Sequence, residues 1–209
     1  MNIADLALSV FARTPVAGQT KTRLIPRLGA VGAARLQAQL IDKALARALS
    51  VAPQHTHLWL TGESVTTVWP DGVTVHAQEG ADLGARMTHA FATLLPQYAT
   101  VLLIGTDCPA QTPDDLRQAA QALHSHDVVL QPAHDGGYVL VGLSARVLQQ
   151  PRWPKMFESI DWGSSAVYQQ TEQQLVAISL SHHSLEPKPD LDEPSDYERA
   201  LERGWVAAV

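Results

Sequence analysis

Residues 100–109 read TVLLIGTDCP, and the fold follows from how this stretch is read. Thr100 to Ile104 is a short, dense apolar run, the pattern of a strand buried on both faces. It ends at Gly105-Thr106-Asp107-Cys108-Pro109, a set of turn formers, and Thr112-Pro113-Asp114-Asp115 then opens a helix. Upstream, Leu6 to Ala12 (LALSVFA) is a second such strand. A loop rich in Pro, Gly, Thr and basic residues follows it. Leu36, Leu40, Ile41, Ala44, Leu45 and Ala48 then recur at helical spacing, which predicts a helix over roughly 30–50. Strands are expected at His57–Thr61 and Val73–Ala77, and a helix through Leu83, Met87, Ala90, Phe91 and Leu94 with Asp82 as its N-cap.

Downstream, Asp127–Gln131 and Tyr138–Leu143 read as strands, followed by a helix over about 164–174. A strand at Leu175–Leu180 and a helix from Pro194 to Glu202 complete the order. Such alternation predicts an α/β fold, a mostly parallel sheet covered on both faces. Ligands then bind beyond the carboxyl ends of the strands. The loops 13–23, 105–109 and 132–137 all follow strands and are expected to converge there. No shift of composition marks a boundary, so residues 1–209 are expected to form one domain.

The 209 residues suffice for a sizeable core, since a domain of this size buries about 70% of its extended-chain surface. A net charge of −6 argues against general nucleic-acid binding. One cysteine, Cys108, excludes an internal disulfide and a cysteine-built zinc site, and a reducing, cytoplasmic location fits best. The apolar N-terminal run is too short to span a bilayer and is interrupted by Asp5.

Four constellations point to chemistry. In the first, RTPVAGQTKTRLIPR (13–27), no acid occurs between Asp5 and Asp42, while Arg13, Lys21, Arg23, Arg27 and Arg35 are basic. A loop with free backbone amides, Gly18, and Lys and Arg side chains ahead of a helix suits an anion such as pyrophosphate. It is not a Walker loop, because Thr20 precedes Lys21 where that motif needs glycine. In the second, Asp107 is held between a strand end and Pro109. Carboxylate oxygens are the ligands Mg²⁺ and Mn²⁺ prefer, and substrate phosphates usually complete the shell. Cys108 beside it reads as a buried thiol. The third, HDGGY (134–138), is a tight turn in which Gly136 and Gly137 also let backbone approach a ligand, with Asp135 alongside. In the fourth, DLDEPSD (190–196), Asp192 is the expected helix cap, with Asp190 as a second candidate metal carboxylate. The histidine pairs at 124/126 and 182/183 have no zinc spacing, and neither GxSxG nor GxGxxG occurs. The five tryptophans suit packing first, with an acceptor pocket or a homodimer surface as further uses.

With these residues quoted, the chain resembles a bacterial family of GT-A-fold, glycosyltransferase-like proteins, also described as radical-SAM and selenodomain-associated transferases. The segments FARTPVAGQTKTRL, QEGADLGARMTHAF, VLLIGTDCPAQTPDDL, VVLQPAHDGGYVLVGL, IDWGSSAV and PDLDEPSDYERA carry the likeness, in order and along almost the whole chain. The resemblance implies a nucleotide-diphospho-sugar transferase fold, a Rossmann-like αβα sandwich, and metal-dependent transfer from a nucleotide-activated donor to a small-molecule acceptor. On that pattern Lys21 and Arg23 hold phosphates, Asp107 holds the metal, and Gln78 and Arg86 approach the base or ribose. Ser164 and Ser165 stand where the family commonly has threonine, so no role is assigned there. The Lys-x-Arg-Leu loop and the DGG turn are also similar to 2-phospholactate guanylyltransferases, which implies nucleotidyl transfer with pyrophosphate release as the alternative. No GGxGxR run marks an ordinary sugar nucleotidyltransferase loop. A catalytically silent nucleotide-binding protein on the same fold is the remaining reading.

Overall fold

Leu6–Arg13 forms strand β1, buried throughout except at Arg13. The reason is its place in the sheet. It pairs in parallel with β2 (Thr56–Thr61) on one side and with β4 (Thr100–Ile104) on the other. Strand β3 (Val73–Ala77) extends the sheet in parallel beyond β2. Beyond β4 lies β6 (Tyr138–Ser144), antiparallel both to β4 and to β5 (Val128–Pro132), and β7 (His182–Ser184) closes that side in parallel with β5. The order is β3-β2-β1-β4-β6-β5-β7, seen in a computed structural model that describes residues 6–62 and 68–209. Asp5, read above as interrupting the N-terminal apolar run, lies outside the described residues.

Helices cover both faces, as the alternation predicts. Helix α1 (Ile25–Leu49) kinks at Gly29, whose φ of 70° and ψ of 165° only glycine adopts readily. With α3 (Pro113–Ala122) it covers one face, where Leu8, Val10, Ile41, Leu45, Leu102 and Leu116 pack together. Helix α2 (Leu83–Leu94) and α4 (Val167–Ala177) cover the other with the 3₁₀ turn at Trp153–Phe157, around Phe11, Trp59, Met87, Phe91 and Val141. Each such buried side chain contributes about 1.5–3 kcal/mol. A third cluster joins Leu24, Leu36 and Leu40 to Leu191, Tyr197 and Val206, pinning α5 (Pro194–Glu202) and the segment before it onto α1. The Asp82 cap accepts the Ala85 amide at 2.8 Å, and Thr112 with Asp115 forms a reciprocal capping box.

Three expectations need correction. Leu175–Leu180 is not a strand: it is the last turn of α4 and its exit, where Ser179 adopts φ 60° and the Leu180 amide donates to the Leu175 carbonyl at 3.0 Å. That left-handed residue and long backward bond are a helix C-cap motif whose apolar anchors resemble a buried strand in sequence. The strand comes later, at His182–Ser184. The helix expected over about 164–174 runs from Val167 to Ala177. The cap of α5 is Glu193, boxed with Asp196, and not Asp192.

Candidate functional site

The chain crosses from β1 to β2 on one side of β1 and returns from β3 to β4 on the other, leaving a crevice beyond the carboxyl ends of β1 and β4. The basic loop and the GTDCP turn both leave the sheet there. A cleft of 640 Å³ opens at this point, within the range of ligand pockets. Its lining includes Arg13, Lys21, Arg23, Gln78, Arg86 and Asp107, drawn from five separate segments of the sequence.

Lys21 is the centre of the arrangement. Its backbone is left-handed, with φ 46°, which turns the side chain inward ahead of the short 3₁₀ turn Thr22–Leu24. The ammonium lies 2.9 Å from Asp107 Oδ1 and 3.0 Å from Asp192 Oδ1, and it donates to the Leu191 carbonyl at 2.5 Å. The Lys21 side chain is only 5% exposed, whereas Asp107 and Asp192 are 47% and 41% exposed, so both carboxylates can still reach a ligand. Burial opposes the charge on Lys21, yet Asp107 and Asp192 outweigh it and hold the ammonium above its ordinary value. Arg23 Nη1 stands 3.5 Å from both Asp192 Oδ2 and Glu193 Oε1. The Thr106 hydroxyl donates to Asp107 Oδ1 at 3.0 Å, and the Leu191 amide donates to the Asp107 carbonyl at 2.8 Å. The second of these bonds ties the 190–192 segment to the end of β4.

Other side chains are braced by backbone. Gln37, buried on α1, donates to the Arg13 carbonyl at 3.1 Å. Arg13 Nη1 reaches the Gln19 carbonyl at 3.1 Å. Gln78 Nε2 donates to the carbonyls of Trp59 and Ala12 at 2.9 and 3.3 Å, and Arg86 Nε donates to the Gly80 carbonyl at 3.1 Å.

A second cavity of 180 Å³ adjoins the first through Gly105, Asp107 and Asp192, and brings in Asp135, Gly137, Tyr138 and Asp190. Burial, and then the neighbouring charges of Asp135, Asp192 and Asp196, push the Asp190 carboxyl above its ordinary range. Asp135 Oδ1 accepts the Gly137 amide at 2.8 Å. Cys108 is 2% exposed, and burial pushes its thiol up to about 11, as suits a packed residue.

Of the residues read from sequence, Arg13, Lys21, Arg23, Gln78, Arg86 and Asp107 meet in the main cleft, and Asp107, Asp135, Gly137 and Asp190 meet in the adjoining cavity. Gly18 and Gly136 line neither. Gly136, with φ 94°, lies against the Ser165 backbone, where a Cβ would collide with the carbonyl, and its own carbonyl accepts the Tyr168 amide at 2.9 Å. The residue that the reading underrates is Asp192, since a pair spanning 171 positions leaves no local trace. Gln37 had a signal: a glutamine at a core-facing position of an apolar helix.

The fold is that of the nucleotide-diphospho-sugar transferases. A crystal structure of a protein provisionally assigned as a nucleotide-diphospho-sugar transferase, from Desulfovibrio desulfuricans G20, superposes with a TM-score of 0.84 at 28% identity, over 96% of this chain and 87% of that one. The 4-diphosphocytidyl-2C-methyl-D-erythritol synthase of Anaerococcus prevotii DSM 20548 superposes at 0.65 with 10% identity, over 99% and 100%. The manganese complex of Rv0371C from Mycobacterium tuberculosis H37Rv gives 0.54 with 19% identity, over 95% and 98%. Residues 35–164 match the family described as uncharacterized protein conserved in bacteria (DUF2064), and the chain belongs to that family. No curated protein matches it. Among the described residues, no helix is long and apolar enough to cross a membrane.

Proposed function

We propose that this chain is a transferase that takes a nucleotide-activated donor and passes its activated group to a small-molecule acceptor in the cytoplasm. The observation that carries the reading is the buried Lys21 ammonium between Asp107 and Asp192, at the floor of a cleft that also holds Arg13, Arg23 and Arg86. Preorganised cations at the carboxyl edge of a sheet stabilise charge that grows on a leaving phosphate. Gln78 and Arg86, on the α2 side, take the base or ribose.

The donor set fits a divalent cation. Among the described residues no three of His, Cys, Asp and Glu form a ready-made cage, but Mg²⁺ and Mn²⁺ commonly use one or two carboxylates and let substrate phosphates complete the shell. Asp107 is available for that, and Asp190, crowded by the like charge of Asp135, gains from a neighbouring cation. The manganese complex of the mycobacterial neighbour supports the same choice. The cation, when bound, neutralises phosphate charge.

With a nucleotide-sugar, the bond from the sugar carbon to the diphosphate oxygen breaks, and the acceptor oxygen or nitrogen bonds to that carbon. The electron pair leaves with the nucleoside diphosphate, whose charge Lys21 and Arg23 meet, while Asp135 takes the acceptor's proton. The full-length likeness to the diphosphocytidyl synthase favours a second reading, in which the acceptor attacks the α-phosphorus of a nucleoside triphosphate and pyrophosphate leaves. Calorimetry with nucleotide-sugars and triphosphates, with and without Mn²⁺, and a pyrophosphate release assay separate the two. Asp107→Ala is expected to abolish the Mn²⁺ enhancement of binding. An enhancement of wild-type size in that variant contradicts the site.

A further inference from the structure

Across the first turn of α2 from the main cleft lies another cavity, of 490 Å³, with a different character. Leu83 and Arg86 face the cleft, while Asp82, Gly84, Ala85, Thr88 and His89 line this one. Its opposite wall is Pro154, Phe157, Ile160 and Trp162. That wall is set by packing. Phe157 stacks on Phe91 with ring centroids 6.0 Å apart, and Trp162 meets Tyr138 edge-on at 6.4 Å. The Asp161 amide donates to Gln170 Oε1 at 2.8 Å. Gly84 lets the helix press against it: a Cβ there would stand 2.5 Å from the Phe157 carbonyl and 3.1 Å from Trp162 Cζ2.

The charges sort cleanly. Among the described residues no Lys or Arg lines this cavity, and its lining includes the carboxylates of Asp82 and Glu158. Asp82 Oδ1 is occupied by the helix cap, which leaves the second oxygen for a ligand. Its other polar groups are the Thr88 and Ser159 hydroxyls and the His89 ring, whose Nδ1 lies 3.9 Å from Glu79 Oε2. An aromatic wall with an acidic rim repels anions and suits an apolar body that carries an amine.

We propose that this cavity binds a small amine with an apolar or aromatic body, and that, if the transferase reading holds, this amine is the acceptor or the part of it that anchors. The same helical turn then separates a cation-lined donor site from an acid-rimmed acceptor site. Tyr138, which lines the cavity beside Asp107, touches Trp162 and so joins the two walls.

The test is calorimetry of the full chain with three probes of one shape: phenethylamine, 2-phenylethanol and phenylacetate. The amine is expected to bind about tenfold more tightly than the carboxylate, the yield of one charge-assisted contact. Asp82→Asn keeps an oxygen for the cap and, with Glu158→Gln, is expected to remove the preference for the amine over the alcohol. Ala85→Phe fills the cavity and is expected to abolish amine binding while nucleotide binding stays unchanged. Amine binding that survives Ala85→Phe, equal binding of amine and carboxylate, or no amine binding at millimolar concentration overturns the proposal. Nucleotide binding is read separately in the same samples, so its loss in the wild type overturns the transferase reading and leaves the amine result to stand or fall alone.

Discussion

Lys21 shows how one side chain gathers its meaning from the whole fold. In sequence it is one of several cations in an acid-free stretch, and the anion it suits is legible from that excess alone. Its partners are not, because Asp107 and Asp192 lie far along the chain. In the fold its ammonium holds the position between two carboxylates that a divalent cation would also seek. Lys21→Met is therefore expected to bind Mn²⁺ alone more tightly than the wild type, since a tethered competitor is gone. The same variant is expected to bind a nucleotide diphosphate about tenfold or more weakly, for loss of a charge-assisted contact. Calorimetry of both ligands checks this, and weaker binding of Mn²⁺ alone would contradict the arrangement. His57 makes a second residue-scale case. It is buried on β2, with Nδ1 3.0 Å from His76 Nε2. Burial, then the neighbouring His76 and His55, lowers it from 6.5 to about 4. The fold thus disfavours the protonated ring, which an unfolded chain takes up near pH 6.5, so stability falls as pH drops from about 6.5 toward 4. Urea unfolding at pH 7 and pH 5 is expected to show a smaller difference for His57→Phe than for the wild type. An equal difference excludes His57 as a source of the acid sensitivity.

Among the elements, those with strong local grammar were readable. Thr100–Ile104 is a dense apolar run closed by turn formers, and Thr112-Pro113-Asp114-Asp115 carries its own capping box. Leu175–Leu180 misleads because both ends are buried as a strand's would be, while Ser179 in the left-handed region makes the segment a helix exit. The glycines of the DGGY turn divide in the same way. Gly137 lines the cavity beside Asp107, but Gly136 seats α4 against the turn through Ser165 and Tyr168. Gly136→Ala meets both a positive φ, worth about 1–2 kcal/mol, and a clash with backbone, worth about 1–3 kcal/mol. Chemical denaturation is expected to show a loss of several kcal/mol. Full stability with weakened nucleotide binding would instead make Gly136 a ligand contact.

At the scale of the molecule, the site is assembled by closure over long range. The third cluster holds Leu191 against α1, and from there the Leu191 amide and carbonyl bind Asp107 and Lys21. Nothing local in DLDEPSD distinguishes a cap from a site carboxylate, which is why Asp192, expected as the cap, instead meets Lys21 in the cleft while Glu193 caps the helix. The convergence of the loops after β1 and β4 was legible, because it follows from strand order and the topological switch rather than from any one contact. Transfer at this site requires an anionic donor to be held there. A crystal structure of the full chain grown with a nucleoside diphosphate and Mn²⁺ tests this most directly. The diphosphate is expected against Lys21 and Arg23 with the cation on Asp107; a nucleotide seated elsewhere, with Lys21 still closed on both carboxylates, would contradict the account.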